Sequence, residues 1–554
     1  MRTIWVSLLL LLLAPATAAA KDVDVQLLGL NDFHGHLEST TPGTIAPDPS
    51  SPRVPAGGAE YLATDIRAKE KENRNTLVVS AGDLIGASPL LSALFHDEPT
   101  IEAMNKIGLD LSSVGNHEFD EGAAELKRMQ NGGCHPVDGC QDGTGFRGAK
   151  FRYLSANVVR ASTGRTLFEP YAIRRFGGIK VGFIGMTLEG TPDIVSPSGV
   201  AGLDFLDEAE TANRYARELR RKHGVRAIVV LLHEGGVQAA TGGINTCDGI
   251  SGPVVDIVQR TTKAVDLFIT GHTHAAYNCV IDGRPVTSAS SFGRVLTDID
   301  VKLDPKSKDV VGVTANNQIV TQNVFKAADI TELIDRYTAI VAPLRDRVIG
   351  RTSADLTRDN DDSGEQTMGN LIADAQLAAT SSASTGAAVA AFMNPGGVRS
   401  DLAAGDVTYG AAFTVQPFGN SLVTLTLTGA QLLELLKEQW CTQDAPRVLL
   451  PSAGIRYAYS AAAAAALVGQ PCEGAANPVT GLTIDGTAVD PAASYRITVN
   501  SFLADGGDKF TVLRDGTDRL GGDVDTDALE DYLAPSLTGA PIGPPALDRI
   551  DVTP

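Results

Sequence analysis

The sequence has no pair of cysteines at C-x₂-C spacing, so a structural zinc knot of the Cys₄ or Cys₃His kind has no support. It has no basic run, no internal repeat and no coiled-coil heptad. Positive charge is in deficit: 46 Lys and Arg stand against 66 Asp and Glu, a formal net charge of −20. That balance argues against a nucleic-acid backbone or an anionic membrane as partner. After the opening segment no apolar stretch is long enough to span a bilayer, and no lipid-bearing cysteine follows it. What is present is the composition of a globular protein, 43% apolar and 20% charged. At 554 residues the chain exceeds one ordinary core, and two or more domains are expected.

Met1-Arg2, a Leu-rich run from Val6 to Leu13 and the small residues ending at Ala20 read as a secretory signal peptide over 1–20. Cleavage before Lys21 would leave a secreted or periplasmic protein with no membrane anchor. The six cysteines suit that compartment. Nearest-in-sequence pairing joins Cys134 to Cys140, Cys247 to Cys279 and Cys441 to Cys472, one of 15 connectivities open to six cysteines.

Residues 21–325 alternate short apolar runs with helical stretches such as Ala59–Glu72 and Glu208–Lys222, the pattern of a layered α/β domain. Residues 326–349 form a charged amphipathic stretch, read as a helix connecting two domains, with Pro343 expected to kink or end it. Residues 350–554 read as a second, α+β domain. There LVTLTLTG followed by AQLLELLKEQW is strand then helix. The six alanines at 461–466 are expected on a solvent-side helix or loop.

Five apolar runs in the first half end in metal-binding or acid–base side chains. VQLLGL leads to Asp32 and His34, TLVVSAG to Asp83, SSVG to Asn116 and His117, IVVLL to His233, and DLFITG to His272 and His274. Buried parallel strands are short apolar runs, and open α/β sheets place their sites at the carboxyl ends of such strands. Asp32 and His34 stand two apart, so on extended chain both reach one ion. Carboxylate, carboxamide and imidazole without thiolate suit Zn, Mn, Mg, Co or Fe. One histidine after a strand is usually an ordinary loop residue. Five of nine (34, 117, 233, 272 and 274) at strand ends are a site.

In that order, D-F-H, G-D, G-N-H-E, H and G-H-T-H resemble the calcineurin-like metallophosphoesterases. The resemblance implies a four-layer α/β/β/α domain holding two divalent ions. Asp32, His34, Asp83 and His274 would take one ion, and Asp83, Asn116, His233 and His272 the other, with Asp83 bridging. It also implies that His117, oriented by Asp120, stabilises the transition state of in-line attack by a metal-activated water. Glu118 and His36 read as structural supports. His274 departs from relatives that carry Gln there, which leaves the metal open.

Three clusters in the second half are Asn394-Pro-Gly-Gly-Val-Arg399, Gln416-Pro-Phe418-Gly-Asn420 and Phe502-Leu-Ala-Asp-Gly-Gly-Asp508. Two aromatics in Gly-flanked loops suit a flat ring, an Arg suits phosphate, and an Asp suits two ribose hydroxyls. Together and in this order they resemble the C-terminal domain of the 5′-nucleotidase family. The resemblance implies that Phe418 and Phe502 stack the base, Asn394 and Asn420 contact its edge, Asp508 binds the ribose and Arg399 the phosphate. Gly364 stands where animal members place a phosphate-binding Arg, and Arg351 and Arg358 are the candidates to replace it. In relatives the second domain rotates to carry substrate to the metals, which makes the ends of the 326–349 helix the hinge candidates.

The expected protein is an exported dinuclear-metal phosphoesterase releasing phosphate from nucleoside 5′-monophosphates, with UDP-sugars or other nucleotide diphosphates as further substrates. A 2′,3′-cyclic-nucleotide 2′-phosphodiesterase/3′-nucleotidase is the nearer alternative, and a non-catalytic nucleotide-binding surface protein the more distant one. A monomer is expected, with a dimer left open.

Overall fold

The computed structural model describes residues 21–39 and 43–554. The expected signal peptide lies outside the described residues. Two six-stranded sheets build the first half. One runs in the order Asp309–Ile319, Val295–Asp304, Val23–Leu30, Thr76–Ser80, Leu111–Ser113, Arg152–Leu154. Its last four strands are parallel, and the first two are added antiparallel. The other runs Ala276–Ile281, Arg284–Ala289, Leu267–Thr270, Ala227–His233, Ile179–Thr187, Tyr171–Phe176, with four parallel strands at its centre.

Strand alternation decides what each sheet buries. Val25 and Leu27 face Val229, Leu231 and Ile269 of the opposite sheet in a shared apolar layer. Leu28 and Leu30, pointing the other way, pack under helices through Leu62, Ile66, Ile101 and Met104. On the far side Ile228, Val230 and Leu232 meet Ala212, Tyr215 and Val258 of helices Glu208–Glu218 and Pro253–Arg260. The architecture is therefore the expected four-layer α/β/β/α, with carboxyl strand ends converging along one edge.

A helix at Ala328–Arg345 lies within the stretch read as the connecting helix. Pro343 sits inside its last turn, and the helix ends two residues later. Ile330, Leu333, Tyr337 and Val341 bury into the first domain's helical core, so the helix belongs to that outer layer as well as to the connection.

The second half holds a five-stranded sheet, in the order Leu450–Pro451, Ala390–Met393, Ser494–Asn500, Ser421–Thr428, Thr517–Val524, and a four-stranded sheet around Ile455–Ser460. Helix Gly429–Lys437 follows strand Ser421–Thr428 through a capping box built by Thr428 and Gln431, which stops the strand and starts the helix within one residue. The alanine run forms helix Ala461–Leu467, and of it only Ala464 is buried. The three neighbouring cysteine pairs are joined as disulfides: 134–140, 247–279 and 441–472. Among the described residues no helix is long and apolar enough to cross a membrane.

Candidate active site

The turns at the sheet edge are sharp, and their residues carry the chemistry. Asp32, His34, Asp83, His272 and His274 all adopt positive φ, between 48° and 71°. Non-glycine residues rarely do so, and such strain concentrates at functional sites. Close approach is built in as well. A Cβ at Gly115 would fall 2.1 Å from Asp83 Oδ1, so only glycine lets that carboxylate lie against the next strand end.

The side chains form two adjoining groups. Asp32, His34 and His274 place a ligand-type atom each within 4.8 Å of one another, and so do Asp83, His233 and His272. Asp83 Oδ2 lies 3.5 Å from His34 Nε2 and 3.0 Å from His233 Nε2, between the two groups. Asn116 Oδ1 is 3.1 Å from His233 Nε2 and 3.0 Å from His272 Nδ1. All seven expected ligands are thus brought together.

The donor chemistry fits divalent cations. His34 Nδ1 faces the Gly86 carbonyl at 2.8 Å and His233 Nδ1 the Ala81 carbonyl at 2.7 Å. A nitrogen facing a carbonyl carries the proton, so each ring turns its Nε2 into the cluster. Against its burial, the charge and hydrogen bond of Asp83 raise the His233 imidazole to about 10. His34 Nε2 meets His274 Nε2 at 3.2 Å. Burial, before any neighbouring charge, pushes the His272 imidazole down to about 3 and holds His34 and His274 well below the usual range, which keeps them in the neutral form a cation requires.

His117 stands beside Asn116 with Nδ1 2.8 Å from Asp120 Oδ2. Burial pulls its imidazole down, but the charges of Asp120 and Asp83 and the Asp120 hydrogen bond outweigh it and raise the pKa. Glu118 is structural: its carboxylate accepts the backbone N–H groups of Asp83, Leu84 and Gly115 and so clamps two strand ends together. His36 packs its ring on Phe292 at 4.0 Å.

Residues of the second half close over this edge. A cavity of about 190 Å³ is lined by Asp83, Asn116, His117, Asp120, His272 and His274 on one side, and by Asn394, Arg399, Phe418, Asn420, Phe502 and Asp508 on the other. All six substrate residues expected from the sequence line it. Asn394 is heavily engaged: its Nδ2 donates to Asp508 Oδ2 at 2.8 Å, and its Oδ1 accepts from Asn500 Nδ2 at 3.0 Å. Arg399 lies over Phe418, its guanidinium carbon 5.8 Å from the ring centre.

Sequence reasoning missed Asn500, Arg447 and Ile194–Ser196, which also line the cavity. Asn500 left one signal, as the polar end of buried strand Ser494–Asn500 directly before Phe502. Arg447 left none. The two arginines suggested for the Gly364 position lie elsewhere. The Arg351 guanidinium donates to the carbonyls of Ser536 and Leu537, and Arg358 donates to the Arg399 carbonyl from a neighbouring cleft. At Gly364, φ is 93° and a Cβ would lie 2.8 Å from Val448, so the turn has no room for a side chain.

Comparison with known proteins settles the lineage. The calcineurin-like phosphoesterase profile matches residues 25–276, and the 5′-nucleotidase C-terminal domain profile matches residues 348–515. The chain belongs to the calcineurin-like phosphoesterases with a 5′-nucleotidase C-terminal domain. A cell wall protein of Listeria monocytogenes is 32% identical over 554 residues, covering 94% of this chain and 68% of that one. An endonuclease of Bacillus subtilis is 32% identical over 88% of this chain, which spans only 38% of that protein's length. Among solved structures, a 5′-nucleotidase precursor from Thermus thermophilus superposes with a TM-score of 0.76 at 27% identity, covering 96% of this chain and 99% of that one. Calcineurin-like phosphoesterases use divalent metal ions, and the edge cluster is where this member offers ligands for them.

Proposed function

We propose that the protein is an exported phosphoesterase with two divalent ions that hydrolyses nucleoside 5′-monophosphates to nucleoside and phosphate. The observation carrying this reading is the cavity in which the His117–Asp120 pair and the buried ligand cluster face the Phe418, Phe502 and Asp508 loops. One side of that cavity has the chemistry for a phosphate, and the other has a ring clamp and a diol acceptor.

Asp32, His34, Asp83 and His274 would hold one ion, and Asp83, Asn116, His233 and His272 the other. When bound, such ions supply a water of lowered pKa and neutralise phosphoryl oxygens. The chain's own groups do the rest. His117, kept protonated by Asp120, donates to a phosphoryl oxygen as charge builds in the transition state. Arg399, on the cavity wall beside Phe418, binds the phosphate as a cation. Phe418 and Phe502 hold the base by stacking, Asn420 reads its edge, and Asp508 accepts from the ribose.

The organisation we assign is a metallophosphoesterase domain over 21–325, the connecting helix within 326–349 and a substrate domain over 350–554. Export rests on the apolar opening segment and on the three disulfides. A net charge of −20 speaks for a small nucleotide rather than a polynucleotide.

A substrate panel on metal-reconstituted protein tests the reading. Phosphate release from 5′-AMP, with 3′-AMP and 2′,3′-cyclic AMP slow, is the expected result. Release from the 3′ or cyclic substrates but not from 5′-AMP would overturn it in favour of a cyclic phosphodiesterase/3′-nucleotidase. No release from any of them would leave a binding protein. Including UDP-glucose and ADP in the panel sets the diphosphate range.

A further inference from the structure

The loop between helix Gly429–Lys437 and strand Leu450–Pro451 enters the cavity at Arg447. Its start is tethered by the Cys441–Cys472 disulfide. Gln443 Nε2 donates to the Asp508 carbonyl at 2.7 Å, the Arg447 N–H to the Gln439 carbonyl at 2.8 Å, and the Leu449 N–H to Gln439 Oε1 at 2.7 Å. The Arg447 backbone is therefore fixed on both sides.

From that anchor Arg447 Nη1 donates to Asp508 Oδ1 at 2.6 Å. The other oxygen, Oδ2, accepts from Asn394 Nδ2 at 2.8 Å. Asn394 is itself fixed by Asn500 at 3.0 Å. Asp508 adopts φ 54° and ψ 25°, a left-handed conformation within the short turn Gly507–Lys509, and lines the cavity. Its side chain is 5% exposed, whereas that of Arg447 is 38% exposed.

A carboxylate has about four acceptor positions, two on each oxygen. Arg447 and Asn394 occupy one on each, which leaves one on each oxygen of a residue that lines the cavity. Two such acceptors, one per oxygen and held in a fixed plane, suit the two adjacent O–H donors of a vicinal diol. Held by Asn394 alone, the carboxylate could still turn about its last torsion, whereas the second bond, from Arg447 Nη1 to the other oxygen, fixes its plane. Arg447 also stands at the seam between the halves, close enough for its charge to add to the forces lowering the His272 pKa.

We propose that Arg447 is a positioning residue that locks Asp508 as a vicinal-diol acceptor and so makes the protein select ribonucleotides over 2′-deoxyribonucleotides. This rests on the nucleotide reading above. It assigns the arginine of the 442–449 loop to sugar selection and leaves the phosphate to Arg399.

The test compares kcat/KM for 5′-AMP and 2′-deoxy-5′-AMP, both measured on the same preparation of each variant. The ratio of the two cancels any difference in the folded fraction. The native protein should prefer 5′-AMP by roughly 10- to 100-fold, the worth of a hydrogen bond to a charged acceptor. Arg447→Ala should bring the ratio to within about threefold of unity, mainly by losing activity on 5′-AMP, and Arg447→Lys, which keeps one donor, should retain most of it. In an Asp508→Ala background, Arg447→Ala should change the ratio no further. An Arg447→Ala ratio equal to the native one overturns this inference alone. Absence of phosphate release from both nucleotides overturns it together with the nucleotide reading.

Discussion

The ring of His117 and the ring of Phe418 lie nearly parallel, 18° apart with centroids 5.8 Å from each other, although the two residues come from opposite halves of the chain. The proposed acid–base group and the proposed aromatic clamp are therefore neighbours across the seam. In that reading Phe418 would act on the part of a substrate that stacks, and the ligand cluster on its phosphate.

Phe418→Ala should raise KM for 5′-AMP about tenfold while changing kcat/KM for p-nitrophenyl phosphate much less. Steady-state kinetics on both substrates checks this. Equal losses on both would show that Phe418 supports His117 rather than the base.

Asp83 lies between the two ligand groups, so Asp83→Asn should cut turnover by at least about 100-fold on every substrate and lower the metal retained after dialysis. Metal analysis of purified protein gives a readout apart from activity. A variant with native metal content and native rate would remove the bridging role.

Glu118 accepts three buried backbone N–H groups. Truncation leaves those donors unpaired at about 1–3 kcal/mol each, so Glu118→Ala should lower Tm by roughly 6 °C or more. Glu118→Gln, which keeps one acceptor oxygen, should fall between the two. Thermal unfolding followed by circular dichroism measures it.

Asp266 is a carboxyl pushed up to about 7, chiefly by burial and further by the nearby Asp309 charge, against its hydrogen bond from the Ile228 N–H. A folded-state pKa above the unfolded value of 3.8 means that its stabilising contribution is full below pH 4 and is lost as pH rises through 7. Asp266→Asn keeps an acceptor and cannot ionise. Its Tm should exceed the native value by several degrees at pH 8 and match it near pH 4. A Tm difference independent of pH would contradict this assignment.

The first half of the site is legible in the sequence because its ligands sit in short contiguous motifs at the ends of buried strands, where chemistry and periodicity mark the same positions. The apolar run VQLLGL announces a buried strand with Asp32 just past its end, but not the turn at φ 49° in which Asp32 sits. The limits of legibility follow from chain separation. Arg447 reaches Asp508 across 61 residues and belongs to no motif, so only folding brings them together. Arg351 and Arg358 look available because they precede Gly364 closely in sequence, yet the guanidinium of Arg351 is spent on carbonyls some 185 residues away. Pro343 reads as a helix breaker, but it falls in the last turn, where its missing N–H removes only one bond near the end.

The cavity between the halves measures about 190 Å³, below the 300 Å³ or so at which pockets for drug-sized molecules begin. We expect the walls to part as a nucleotide of full size enters and leaves. Turnover would then include a mechanical step that displaces solvent, with friction as a kinetic variable. For 5′-AMP, kcat should fall as sucrose thickens the medium, while a chemically slow substrate stays indifferent to it.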